Sequence, residues 1–303
     1  MSHEPLVSVI IPTYKRSEFI LRALKSVINQ TYKNIEILIV DDNNGNNEHR
    51  IKTKLKLESY IKSGLVTYIE HNQNKGLSAA RNTGIQESKG TYLAFLDDDD
   101  EWLNDKIRVQ IDKFATLPED YALVYGAFKQ IDQNTGNQKI IVPKYKGDLS
   151  KILGLNYIGP PSMVLCKKHA ILNIDCFDEM FKSREDIDMY FRLSKKYKVS
   201  FVDNVLMNYY VHTDTMSKIY SDKLVYLERF IEKYKTDLVI PKTRWSELHE
   251  RLGELYALNG FNMKAINAFV ISFLHRVSRP QVLGKLFISI LGQKQYKKLR
   301  KFD

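Results

Sequence analysis

Short apolar runs rich in β-branched residues alternate with stretches of helical periodicity over the N-terminal part of the chain. Leu6-Val7-Ser8-Val9-Ile10-Ile11 reads as a strand ended by Pro12. Ser17 to Asn29 reads as a helix with Phe19, Leu21, Leu24 and Val27-Ile28 along its apolar face. Ile35-Glu36-Ile37-Leu38-Ile39-Val40 is almost continuously apolar, the pattern of a strand covered on both faces. It stops at Asp41-Asp42, and Asn43-Asn44-Gly45 supplies a turn. A polar helix over His49 to Ile61, a strand over Leu65 to Glu70 and a helix over Ser78 to Ser88 follow. Gly90 precedes the central strand, Thr91-Tyr92-Leu93-Ala94-Phe95-Leu96, which runs directly into Asp97-Asp98-Asp99-Asp100. This alternation predicts an α/β fold, a doubly wound and mainly parallel sheet with helices on both faces.

Further on, the pattern predicts a helix from Asp105 to Thr116, a strand at Tyr121 to Phe128 and a hairpin turn at Asn134 to Asn137. Gly159-Pro160-Pro161 breaks the chain before a strand at Ser162 to Cys166. Arg184 to Lys196 is an amphipathic helix, and Val199 to Val202 and Val205 to Val211 are two short extended pieces. Beyond about Lys218 strand signals cease. Leu224 to Tyr234, Trp245 to Leu258, Lys264 to Leu274 and Gln281 to Leu291 all have helical periodicity, which sets a boundary near residue 220.

Composition narrows the class without naming it. The 303 residues are 44% hydrophobic and 27% charged, as in a water-soluble protein. No stretch approaches the about 18 uninterrupted apolar residues of a spanning helix. The first residues carry no signal-peptide pattern, so a cytoplasmic protein is expected. Cys166 and Cys176 have no metal or redox spacing and read as reduced structural residues. A net charge of +10 favours polyanionic partners: nucleotide phosphates, an anionic membrane or nucleic acid. No nucleic-acid-binding motif accompanies the charge, so no nucleic-acid partner is expected.

The candidate chemistry lies where the central strand meets four adjacent carboxylates. Such charges raise one another's pKa, and a bound divalent cation removes the conflict. An all-oxygen donor set suits Mg or Mn. A purely structural alternative is an acidic turn capping the helix near Asp105. Ligands of open α/β sheets sit beyond the carboxyl ends of the strands. There Asp41-Asp42 could accept from a base or ribose while Asp97 to Asp100 held a cation on a diphosphate. The Walker loop and the dinucleotide glycine fingerprint are both absent.

Four blocks occur in order: Val7-Ser8-Val9-Ile10-Ile11-Pro12-Thr13-Tyr14; Ile39-Val40-Asp41-Asp42; Asn74-Lys75-Gly76-Leu77-Ser78-Ala79-Ala80-Arg81-Asn82-Thr83-Gly84; and Phe95-Leu96-Asp97-Asp98-Asp99-Asp100. Together they resemble glycosyltransferase family 2, whose GT-A fold is Rossmann-like and whose donors are nucleotide-diphosphate sugars. The resemblance implies donor-binding roles for Pro12, Tyr14, Asp42, Arg81, Asp97 and Asp98, with the Tyr14 ring available for stacking. It implies metal ligation by Asp99 within the D-x-D pattern, and by His212. Asp186, in Ser183-Arg184-Glu185-Asp186, becomes the general base of an inverting transfer. From spacing alone, Ser183 and Asp186 equally fit a helix-capping box. The glycine that usually precedes Phe177-Asp178-Glu179 in the family is replaced by Asp175-Cys176.

The resulting expectation is a GT-A catalytic domain over 1–219, with nucleotide-sugar binding in 1–104 and the acceptor part in 105–219. A C-terminal helical extension covers 220–303. UDP is the expected nucleotide and a glycan or lipid-linked glycan the expected acceptor, in cell-surface polysaccharide synthesis. Lysines and arginines after Leu291 follow an apolar periodic stretch, so 281–303 is a candidate for peripheral binding to the inner face of an anionic membrane. Two rival functions are a metal-dependent phosphatase or phosphotransferase with an aspartyl nucleophile, and a non-catalytic membrane-adsorbed scaffold. The first requires a D-x-D-x-[TV] pattern, but Asp100-Glu101 follows Asp99.

Overall fold

The computed structural model describes residues 4–143, 158–211, 220–237, 241–278 and 281–299. The chain forms two compact units. One contains Met1–Leu149, Asn156–Met180 and Glu185–Thr213; the other contains Ser150–Leu155, Phe181–Arg184 and Asp214–Asp303.

The first unit is built on one sheet. Its elements are β1 (Val7–Thr13), α1 (Ile20–Ile28), β2 (Ile35–Asp41), α2 (Glu48–Lys62), β3 (Val66–Glu70), α3 (Leu77–Glu87) and β4 (Tyr92–Phe95). These are followed by β5 (Glu101–Trp102), α4 (Lys106–Ala115), β6 (Tyr121–Asp132) and β7 (Gln138–Ile141). A 3-10 turn (Pro161–Met163), β8 (Leu165–Lys167), α5 (Lys168–Leu172), α6 (Glu185–Ser194) and β9 (Lys198–Val211) complete it. The strand order is β3-β2-β1-β4-β8-β6-β9-β5, with β7 paired to β6. The half from β3 to β4 is entirely parallel. Beyond it, β8 runs antiparallel to both β4 and β6, whereas β9 runs parallel to β6.

Every residue of β1 is buried, as its unbroken apolar pattern requires. The strand does not end at Pro12. Its β4-facing pairing stops at Ile10, opposite Phe95, while pairing to β2 continues to Thr13. Carbonyls alternate sides along the strand: Ile10 accepts from Leu96 on the β4 side and Thr13 from Asp42 on the β2 side. Pro12 therefore faces the side where no ladder remains, and its missing N–H costs nothing. Other elements also differ from the pattern. The extended pieces at 199–202 and 205–211 are one strand, β9, with register shifts against β6 that absorb the polar interruption. The region at 162–166 opens as a 3-10 turn before β8, and β5 and α5 are too short to have left a periodic signal.

At the opposite end of the sheet from the acidic junction, Gly90 N–H donates to Ser8 Oγ at 2.8 Å and to Glu36 Oε1 at 3.0 Å. Ser8 Oγ in turn donates to Glu36 Oε1. A Cβ on Gly90 would lie 2.7 Å from the Leu6 carbonyl oxygen and the Ser8 nitrogen.

The second unit holds α7 (Tyr220–Tyr234), α8 (Lys242–Leu258), α9 (Asn262–His275), α10 (Gln281–Ile290) and α11 (Gln293–Leu299). α8 and α9 cross closely. Gly253 gives the Phe269 ring room, since a Cβ there would be 2.7 Å from it. Ser246 and Ser272 exchange hydrogen bonds with each other's carbonyls at 2.8 and 2.7 Å. Lys285 ties α10 to α8 through Glu250 and Glu254.

Gly90→Ala is expected to destabilise the protein by about 1–3 kcal/mol, because backbone rather than a flexible side chain must move. A lowered chemical-denaturation midpoint at unchanged m-value checks this.

Candidate active site

Because β1, β2 and β4 are parallel, their carboxyl ends open on one edge of the sheet. Chain order reverses there, with β2 on one side of β1 and β4 on the other. Such a reversal leaves a crevice between diverging loops, where ligands of open sheets bind.

Two buried carboxylate clusters flank the crevice. Asp41 ends β2, opposite Thr13. It accepts from Asn43 N–H at 2.8 Å, from the Arg50 guanidinium and from the Tyr68 hydroxyl. Asp42 is 3% exposed and receives four donors: His71 Nδ1 at 2.7 Å, then Asn74 Nδ2, Lys75 N–H and Gly76 N–H at 2.8 Å each. Its carboxylate shapes the loop that leads into α3. The neighbouring Asn43 has a buried Nδ2 with no hydrogen-bond partner among the described residues. Asn43 Oδ1 takes the Lys15 N–H at 3.0 Å, holding Lys15 at a φ of 57°. Tyr14, next to it, remains 37% exposed.

The second cluster ends β4. Thr13 Oγ1 donates to Asp98 Oδ2 at 2.8 Å, joining the ends of β1 and β4. Arg16 reaches Asp99 Oδ2 at 2.5 Å and Asp98 Oδ1 at 3.5 Å. Ser162 Oγ donates to Asp100 Oδ2 at 2.6 Å and accepts the Asp97 N–H at 3.0 Å. Asp100 Oδ1 is buried without a hydrogen-bond partner among the described residues. Burial, then repulsion from Asp99, pushes Asp98 up to about 8. Asp100 is raised well above the carboxylate range, by burial first and then by Asp99 and Asp97. The alternative of an acidic helix cap fails: Asp105 makes no capping bond and instead accepts from Thr31 Oγ1 at 2.8 Å.

Arg81 links this cluster to α6. It is 1% exposed, donates to Asp97 Oδ1 at 2.7 Å and pairs with Glu185. Burial opposes its charge, but Asp97 and Glu185 outweigh burial and hold it as a guanidinium. Asp186 follows Glu185 in the first turn of α6, is 9% exposed, and accepts the Ile187 N–H at 2.9 Å. Asp186 lies near enough to add to the upward shift of the Tyr190 hydroxyl, which burial dominates. The Tyr209 hydroxyl, also raised mainly by burial, feels Asp100, Asp97, Asp99 and Asp186 together. One acidic field thus spans the end of β4 and the start of α6.

The model of the family described as glycosyl transferase family 2 matches residues 8–181. The chain belongs to glycosyl transferase family 2. An uncharacterized glycosyltransferase of Rickettsia typhi is 32% identical over 216 residues, 70% of this chain and 65% of that protein. The UDP-Glc:alpha-D-GlcNAc-diphosphoundecaprenol beta-1,3-glucosyltransferase WfgD of Escherichia coli is 30% identical over 198 residues, 65% of this chain and 73% of WfgD. The chain spans less than two-thirds of several relatives, among them 35% of a Rickettsia felis glycosyltransferase. Residues 1–349 of S. aureus TarS in complex with UDP-GlcNAc share the fold at a TM-score of 0.64 and 16% identity, covering 98% of this chain and 90% of that one. The fold is GT-A, a mixed sheet whose N-terminal half is parallel, with C-terminal helices.

Of the residues the family resemblance singles out, Asp97, Asp98, Asp99, Arg81 and Asp186 converge on the β4–α6 side of the crevice. Pro12, Tyr14 and Asp42 lie on the β1–β2 side. Arg81 is not a solvated helix-surface arginine, because both ends of its guanidinium are taken inside the protein. His212 lies outside the described residues. Thr13, Arg16, Glu185 and Ser162 join the site without having been assigned a role from sequence. Arg16, in Tyr14-Lys15-Arg16, is legible afterwards as a cation just past a strand end. Ser162 is not, since only the chain path brings it under Asp100.

The carboxylates fit a hard cation. Two have raised pKa values, one buried oxygen has no hydrogen-bond partner among the described residues, and every donor is oxygen. Among the described residues, no group of three or more His, Cys, Asp or Glu could hold a metal. Mg characteristically uses one or two carboxylates and completes its shell with substrate phosphates and water, so a partial set suffices.

Arg81→Met is expected to cost about 3–5 kcal/mol, since it strands two carboxylates in a buried site. A lower thermal midpoint measures it. A second expectation concerns pH. The Asp98 carboxyl is raised in the folded chain, so its contribution is full below about pH 4, the unfolded value. It is lost as pH climbs towards about 8. Metal-free protein should therefore lose stability from acid to neutral pH, and Asp98→Asn should flatten that slope in denaturant titrations.

Proposed function

We propose that this chain transfers a sugar from a nucleotide-diphosphate sugar, with UDP as nucleotide, to a hydroxyl of a glycan or lipid-linked glycan, inverting the anomeric configuration. The setting is cell-surface polysaccharide synthesis at the cytoplasmic face of a membrane. The observation that carries the reading is the Arg81 bridge. It ties Asp97 of the acidic junction to Glu185, the residue before Asp186. A leaving diphosphate and a general base must face the same anomeric carbon from opposite sides, and this bridge fixes their supports to one another. The named donors and acceptors of two similar proteins support the substrate class: UDP-GlcNAc in the TarS complex, UDP-Glc and a diphosphoundecaprenol-linked sugar for WfgD.

In this reading the exposed Tyr14 ring stacks on the base. Pro12 lines the floor, and Asp42 acts through the loop that it organises, beside the buried Asn43 Nδ2, which has no hydrogen-bond partner among the described residues. Asp98 accepts from the ribose. Asp99, with Asp97 alongside, holds Mg or Mn; His212 is a further candidate ligand. The cation, when bound, neutralises charge developing on the diphosphate. Arg16, now paired with Asp98 and Asp99, is released toward the phosphates as that charge arrives. Arg81 is a positioning residue. Asp186 takes the proton of the acceptor hydroxyl as its oxygen attacks.

Asp186→Asn should lower sugar transfer about 10²–10⁴-fold while UDP with Mn still raises the thermal midpoint. Asp99→Ala should abolish the Mn-dependent part of that thermal shift. Transfer by Asp186→Asn within about tenfold of the parent would remove Asp186 from the role of base.

A further inference from the structure

The last two long helices depart from the usual division into a buried and a charged face. α9 buries Ala265, Ala268, Phe269 and Ser272. Its opposite face should be polar, yet Met263, Val270 and Leu274 are exposed there at helical spacing, with Leu274 at 71%. Val277 just beyond it is 65% exposed. α10 buries Val282 and Ser289 and exposes Phe287, Ile290 and, at its end, Leu291. Each helix contains a single Lys and no carboxylate.

Charge supplies the second observation. Residues 259–303 contain nine Lys or Arg and one carboxylate, Asp303, a net +8 of the chain's +10. Three of the cations pair with acids of the other helices: Lys264 with Glu228, Arg276 with Glu247, and Lys285 with Glu250 and Glu254. On α11, Lys294, Lys297 and Lys298 are exposed. Apolar side chains standing in water next to exposed lysines suit an interface that is oily beneath and anionic above.

We propose that the outward faces of α9 and α10, with the lysines of α11, dock the protein on an anionic lipid bilayer. The helices lie on the bilayer. At 14 residues α9 is about 21 Å long, short of the about 30 Å hydrocarbon core, and no described helix is long and apolar enough to cross a membrane. The surface extends beyond the 281–303 segment, since α9 contributes its two most exposed apolar residues, Met263 and Leu274. It goes beyond the transfer reaction and is tested without any sugar donor, so its failure leaves that reading untouched.

The test is flotation of the full chain with vesicles of phosphatidylcholine alone or with about one-third phosphatidylglycerol. Expected is at least about tenfold greater binding to the anionic vesicles, lost at about 0.5 M salt. Leu274→Asp with Phe287→Asp should reduce that binding at least about tenfold at an unchanged thermal midpoint. Lys294→Gln, Lys297→Gln and Lys298→Gln together should remove most of the preference for anionic lipid. Absence of parental binding, or equal binding to both vesicles, overturns the proposal. So does light scattering that shows an oligomer which the Asp variants convert to monomer, because a second copy then covers the face.

Discussion

Negative charge held out of water at the end of β4 is the constraint from which the site follows. Four consecutive carboxylates leave a buried strand with little solvent to dissipate their repulsion. The protein answers with cations and donors brought from elsewhere in the chain: Arg16 from beyond β1, Arg81 from α3, Thr13 from the end of β1, and Ser162 from the turn before β8. The compensation is incomplete. Asp98 and Asp100 stay well above the ordinary carboxylate range, and one oxygen of Asp100 has no hydrogen-bond partner among the described residues. Under the proposed function, a cation arriving with its diphosphate would relieve that residual repulsion.

The neighbouring cluster obeys the opposite logic. Asp42 is saturated with donors, and its partners are backbone groups and side chains of one loop. A carboxylate used in this way fixes loop shape at the mouth of the crevice. Arg50 extends the arrangement, reaching the carbonyls of Asn43 and His71 from α2. One cluster is saturated with donors and the other is not, on two strands that flank β1 at the same end of the sheet.

Much of the fold was legible because its strands are buried on both faces and its helices on one, which forces distinct apolar periods. Where a second pressure acted, the pattern misled. Pro12 reads as a terminator, yet sits in β1 because the ladder on its side has already ended. The polar break at Asp203-Asn204 reads as a gap, yet is absorbed by bulges in β9. The site was half legible for a related reason. Residues adjacent in sequence, such as Asp97 to Asp100, announce themselves. Arg16 and Ser162 do not, because only the sheet order β1-β4-β8 carries them to the same carboxylates.

The amino-acid sequence by itself determined the α/β class, the family, the acidic strand end and the helical C-terminal stretch, since each is written in local composition and period. Only the tertiary structure decided that Arg81 is an internal brace between Asp97 and Glu185, that Asp42 serves its own loop, and that the outer face of α9 stands apolar in water. Those outcomes depend on which groups meet after the chain has closed. Solvation and pairing energies, which no linear pattern encodes, then assign each charge to a partner or leave it waiting for one.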